Sequence, residues 1–290
     1  MAVRRSFFFI TSGAFLSAKG WSREVVKKYV IRMLRVYLLW CVIYFPLYIW
    51  AWIQDDRNPL LRIILFLRQF LIGSLWGVLW FFSALICAVV LFYRLHKWGK
   101  LSEKQLLCLG IGLYFVGMLG NMWFPVVQKI SIIGDAIEAM VMVFGYTRNF
   151  LFEGLPCMIF GYLLYIHQND YQTAEFVVML GFGLPLLIIE PLAISKFYEV
   201  GSLDMGVGMM LSSVSLVANL NHVGRMRQCG EKIGKAIRKI TLPMLLVHHL
   251  IIEMVKDFCG VGFSRFTLVL GLSFCFSIAL MYLEKKKYLT

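Results

Sequence analysis

Apolar residues in this chain come in long unbroken runs separated by short charged segments, not in the stripes of an amphipathic helix. Residues 78–93 form one such run and 267–283 another. A membrane-crossing helix needs roughly 20 mostly apolar residues. The pattern predicts helices over 6–18, 29–53, 76–95, 105–124, 150–167, 174–194, 203–220, 237–255 and 263–283. The expected fold class is all-α, a polytopic transmembrane helix bundle of about nine spans in a single domain over 1–290. Two weaker segments stand apart. Residues 58–73 carry Arg62 and Arg68 on an otherwise apolar stretch, which suits a helix lying along the interface. Residues 131–145 carry Asp135 and Glu138 and suit a re-entrant or interfacial helix.

Composition sharpens this reading. The chain is 60% hydrophobic and only 16% charged, where a soluble domain carries about 25% charged residues. The formal charge of +13 would raise nucleic acid as a partner of a soluble protein. Here the basic residues sit between apolar runs, where they set orientation and meet anionic headgroups. Membrane lipids are therefore the expected partners, and nucleic acid is not. Most of the 29 Lys and Arg fall in 19–28, 94–104, 225–239 and 285–287. By the positive-inside rule these segments face the cytoplasm, with the C-terminus. An odd number of spans then puts the N-terminus outside. Arg4 and Arg5 would ordinarily hold that end inside, and with Ser6-Phe7-Phe8 they also fit a twin-arginine export signal. The 7 cysteines are scattered without a C-x-x-C pair, so they read as small apolar residues rather than metal ligands or a disulfide frame.

Polar groups at membrane depth are costly, which makes them functional candidates. Arg32 and Arg35, at i and i+3, share one helical face. Together they would make a bidentate phosphate site, or simply anchor the helix at the headgroups. His248, beside His249 and well inside an apolar run, is a candidate general base, against the plainer role of a histidine bonded within the bundle. No metal site is expected, since only Glu253 stands at ligand spacing, four after His249. Glu190 precedes Pro191 in an apolar helix, where proline bends the backbone. It would pair structurally or line a substrate cavity. Arg148 precedes Gly154, Pro156 and Gly161, small residues and a proline that permit close helix packing; Arg148 itself reads as an interfacial anchor.

In order, these pieces resemble the acyltransferase 3 family of bacterial membrane acyltransferases. The run Phe7-Phe8-Phe9-Ile10-Thr11-Ser12-Gly13-Ala14-Phe15-Leu16 is similar to the family's second helix, and Arg32-Met33-Leu34-Arg35 to its arginine pair. Leu79-Trp80-Phe81-Phe82-Ser83-Ala84-Leu85 resembles its Leu-Trp-Phe segment. Residues 148–161 resemble its Gly-Leu-Pro helix, and Ile240 to His248 its late Ile-Ser-x-x-Ile-Tyr-x-x-His segment. The resemblance implies transfer of an acyl group, commonly acetyl, from acyl-CoA to a hydroxyl or amine on an extracytoplasmic glycan, lipid-linked or similar acceptor. It implies a multi-pass protein of the bacterial inner membrane with acyl-CoA as co-substrate and no bound cofactor. Arg32 and Arg35 would bind the CoA phosphates, His248 would be the catalytic candidate, and Glu190, Arg148 and Trp80 would line the substrate cavity. Family members also carry an earlier helix with an arginine and a histidine taken as the base. Its counterpart is not seen upstream of Arg4, so the domain is expected to be N-terminally incomplete and inactive alone. The competing expectations are a glycan or small-solute export protein and a catalytically dead membrane partner.

Overall fold

The computed structural model describes residues 2–71, 77, 79–99, 101–199, 203–226, 231–256, 258, 260 and 262–287. Twelve α-helices and one π-helical turn account for the regular structure, with no strand among the described residues. They are α1 (Ala2–Ala18), α2 (Arg23–Ile53), α3 (Pro59–Leu71), α4 (Trp80–Trp98), α5 (Glu103–Leu119), α6 (Phe124–Val127), α7 (Ser131–Phe144), the π turn (Phe150–Gly154), α8 (Leu155–Ile166), α9 (Thr173–Ser195), α10 (Val207–Met226), α11 (Glu231–Val255) and α12 (Phe263–Lys287). Each predicted helix has a helical counterpart, although α4 starts at Trp80 and α10 at Val207, with residues 76 and 78 of the first outside the described residues, and the two weaker segments are α3 and α7. Four described helices are long and apolar enough to cross a membrane: Arg23–Ile53, Trp80–Trp98, Ala174–Ser195 and Phe263–Leu280. Shorter apolar helices cover Phe150–Ile166, Val207–Leu220 and Pro243–Val255. Among the described residues, length and hydropathy thus pick out four spans and leave the count of about nine unconfirmed.

Three local departures have sequence causes. Ser102 opens α5 with a capping box: its Oγ accepts from the Gln105 N–H at 3.3 Å, and Gln105 Oε1 accepts from the Ser102 N–H at 2.8 Å. The helix expected over 105–124 ends instead at Leu119, and a turn at Gly120 to Trp123 leads into α6, whose second residue is Pro125. The break leaves the Asn121 side chain off the helix. The helix expected from residue 150 starts with the π turn, capped by Asn149. Its Oδ1 accepts from the Leu151 and Phe152 N–H groups at 2.8 and 3.1 Å. By contrast, α9 runs unbroken through Pro185 and Pro191.

The chain divides into two compact units. The larger holds α1, the start of α2, α3 to α10 and the π turn. Its core is built from Phe9, Ile10 and Leu16 of α1, Ala84, Leu85, Ala88, Val89 and Phe92 of α4, and Met158 and Ile159 of α8, all buried. Glycines let α1 and α8 approach backbone to backbone. A Cβ at Gly13 would lie 2.5 Å from the Met158 carbonyl oxygen, and one at Gly161 would lie 2.0 Å from that of Ile10. This is how small residues bring membrane helices together. The smaller unit holds the rest of α2, α11 and α12. There the Tyr44 hydroxyl donates to the Leu246 carbonyl at 2.7 Å. In α12, Ser273 and Ser277 are buried and return their hydroxyls to carbonyls four residues back, so neither is left unsatisfied. Outward positions such as Val42, Ile188, Leu192 and Phe263 are apolar and open, a surface suited to lipid rather than water.

Candidate functional site

Within the larger unit, α1, the π turn and the segment before α10 bring together a polar cluster. Asp204 pairs with both Arg5 and Arg148. Both guanidinium groups also lie over the Trp80 ring, 5.2 and 5.6 Å from its centre, and Arg148 lies 5.3 Å from that of Tyr146. Two cations thus share one carboxylate and one aromatic face, an arrangement in which ring quadrupole and carboxylate both offset positive charge. Beneath them Glu153, fully buried, accepts from the Ser6 hydroxyl at 3.2 Å. Among the described residues its second oxygen, Oε2, has no hydrogen-bond partner.

The segment carrying Asp204 is pinned at both ends. Asn121 Oδ1, free because α5 has ended, accepts from the Asp204 and Met205 N–H groups, both at 3.1 Å. Glu190 accepts from the N–H groups of Val207 and Gly208 at 3.2 Å, and from Trp123 Nε1 at 2.8 Å. Glu190 is therefore a carboxylate at the positive end of α10, where it meets orphan donors and the helix dipole. In this structure its carboxylate serves as an acceptor for the backbone. The neighbouring Gly206 has no room for a side chain, since a Cβ there would lie 2.8 Å from Glu190 Oε2.

The other sequence candidates lie elsewhere. Arg32 and Arg35 are exposed on α2, and Arg32 stacks at 5.5 Å on the Tyr29 ring. His248 belongs to the smaller unit, where its Nδ1–H donates to the Leu245 carbonyl at 2.7 Å. Of the residues expected to line a cavity, the structure joins Arg148 and Trp80 in one cluster. Sequence reasoning does not single out Ser6, Glu153, Asp204 or Asn121, and it reads Arg5 only as an orientation residue that also fits an export signal. Among the described residues, no group of three or more His, Cys, Asp or Glu is placed to hold a metal ion.

Three of the segments that carried the resemblance meet here, and a family model described as an acyltransferase domain matches residues 2–282. The chain belongs to the acyltransferase 3 family. Its family and its apolar helices make it a membrane protein. The chain is similar to an amino-acid racemase of Enterococcus faecalis, 22% identical over 97% of this chain and 40% of the relative. It is also similar to a serine/alanine racemase of Enterococcus gallinarum, 29% identical over 63% of this chain and 26% of the relative. The chain thus spans less than half the length of these curated relatives. No solved structure matches it. In this acyltransferase 3 chain, three family-like segments converge on the cluster: the α1 run, Leu79 to Leu85, and Arg148 to Gly161. The His248 segment lies in the smaller unit.

A second polar group borders an apolar cavity of about 420 Å3, lined by Leu107, Phe160, Leu163 and Phe176 among others. Just past the end of α8, His167 bonds Asp170 at 3.0 Å and Glu103 at 2.8 Å. These bonds, to Asp170 first and then Glu103, raise the His167 pKa. A folded pKa above the unfolded one stabilises most fully below the ordinary value of about 6.5, and the contribution is lost as pH rises through the raised value. All three side chains are open to water, so the effect is small. Thermal unfolding of His167→Asn should show less loss of Tm from mild acid to mild alkali than the parent chain. Parallel profiles would refute the link.

Proposed function

We propose that the protein acts as a membrane acyltransferase. It moves an acyl group, acetyl in the simplest case, from acyl-CoA to a hydroxyl or amine of an extracytoplasmic glycan or similar acceptor. The observation that carries this reading is the family match over residues 2–282. In the step, the acceptor oxygen or nitrogen attacks the thioester carbonyl carbon and gives up its proton. The C–S bond then breaks, and CoA leaves as the thiol with a proton on sulfur.

Arg5 and Arg148 suit the developing oxyanion. Asp204 neutralises only one of their two charges, and their side chains stay 17% and 29% exposed. Fixed donors of this kind act on charge that appears only in the transition state. The family resemblance puts forward His248, in the smaller unit, as the proton acceptor. Arg32 and Arg35 are proposed to take CoA phosphates. The family likeness supports a bacterial inner-membrane protein, and the distribution of Lys and Arg supports a C-terminus in the cytoplasm. A reporter fused after Thr290 that works only outside the cytoplasm would reverse that orientation.

The test is transfer of label from acetyl-CoA on membranes carrying this chain, both alone and joined to an upstream helix with an arginine and a histidine. Because two relatives are named for amino-acid substrates, an amino-acid amine belongs among the acceptors tried. Arg148→Gln and His248→Asn should each lower turnover about a hundredfold. Arg148→Gln is expected to fold, since Arg5 still neutralises Asp204. Turnover unchanged in both variants would remove these roles. Solute export without acyl transfer would favour an export protein instead.

A further inference from the structure

At one end of the larger unit, a cleft of about 280 Å3 is lined by Arg23, Tyr93, Arg94, Lys97 and Trp98. It brings together the start of α2 and the last turns of α4. Three of its five lining side chains are cations, and no carboxylate is among them.

Part of this charge has a local explanation. Arg94 and Lys97 stand at i and i+3 near the carbonyl end of α4, where a helix favours positive charge. Arg23 has no such explanation. It is the first residue of α2, at the helix end that favours anions, so the dipole disfavours its charge. Glu24 follows it in the first turn but does not line the cleft. The fold therefore gathers a dipole-disfavoured arginine and two further cations, all exposed, around one cleft, and an anion held there would offset their mutual repulsion.

We propose that this cleft is a binding site for a phosphate group. The arginine forks can bind two phosphate oxygens in parallel, while Lys97 supplies a point charge. Tyr93 and Trp98 flank these cations with flat, largely apolar faces for whatever carries the phosphate. Such a phosphate comes either from a soluble organic phosphate or from a lipid headgroup. The proposal is independent of the acyl-transfer reading, and nothing in it depends on Arg32, Arg35 or the Asp204 cluster.

The experiment uses the full chain and two arms. In the first, protein in neutral detergent is titrated with adenosine 3′,5′-bisphosphate and with inorganic phosphate, and binding is read by calorimetry. In the second, thermal unfolding is compared in nanodiscs of phosphatidylcholine alone and with added phosphatidylglycerol. The cleft variant is Arg94→Ala with Lys97→Ala. The control is Lys28→Ala with Lys104→Ala, which removes equal charge without touching the cleft. Binding in at least one arm is expected, weakened about tenfold or more in the cleft variant and unchanged in the control. A response in the first arm identifies a soluble phosphate, and a response confined to the second identifies a headgroup. No response in either arm overturns the proposal. Equal weakening by the control also overturns it, since that would be unspecific attraction to a basic surface.

Discussion

Gly161→Val is expected to yield little or no folded protein. The Cβ it adds would start 2.0 Å from the Ile10 carbonyl oxygen and 2.9 Å from the Ala14 nitrogen. Both obstacles are backbone, so no side chain can swing aside. Relief requires α1 and α8 to separate, which would pull Phe9 and Ile10 from their contacts with Met158 and Ile159. Overpacking a core costs about 1–3 kcal/mol when side chains can adjust. Here the cost should exceed about 3 kcal/mol, a large share of the roughly 5–15 kcal/mol that holds a typical domain together. Branching at valine adds bulk beyond the Cβ, so Gly161→Ala should be the milder variant. The measurement is the monodisperse fraction after extraction into detergent, with Tm where a peak survives. A Gly161→Val protein with the parent's profile would mean that the two helices do not touch as described.

The second large effect is expected from Asp204→Ala. It leaves Arg5 and Arg148 facing each other over one tryptophan with no carboxylate between them. Removing one partner of a buried ion pair costs about 3–5 kcal/mol. Asp204 retains 20% exposure, so the lower end applies, and Tm should fall by roughly 6 °C or more. Asp204→Asn keeps the shape and a hydrogen-bond acceptor, and should recover part of the loss. Removing Arg148 as well should recover more, because only one cation then needs neutralising. If Asp204→Ala unfolds at the parent temperature, the cluster is solvated and contributes no net stability.

The helices were legible from the runs of apolar residues, and so was the close contact of the Gly161 helix, because small residues announce it. The shared face of Arg32 and Arg35 follows from i, i+3 spacing alone. The centre of the cluster was not legible. Arg5 and Asp204 are 199 residues apart, and Arg148 and Asp204 are 56 apart, so no periodicity links them. Glu153 did leave a signal: an acidic residue inside an apolar helix is expensive enough to be singled out. Asn121 left none, since its role depends on α5 ending at Leu119, which hydropathy does not show. Glu190 was visible as an anomaly, but its partners are backbone N–H groups of a later helix, which only the fold supplies.

The π turn has a consequence for how this helix pair can change over time. Residues of an α-helix follow one another at about 100°, and a single wider turn accommodates one extra residue. The π turn opens the helix, so α8 beyond it is out of phase by about one residue's rotation with an uninterrupted α-helical start. Gly161 lies beyond the turn and sets the crossing with α1, whereas Arg148 lies before it and Glu153 within it. Gaining or losing one residue at this point re-aims Glu153 like a dial while the glycine crossing stays fixed. A lineage can thus retune the chemistry facing Asp204 without rebuilding the contact that holds the bundle together.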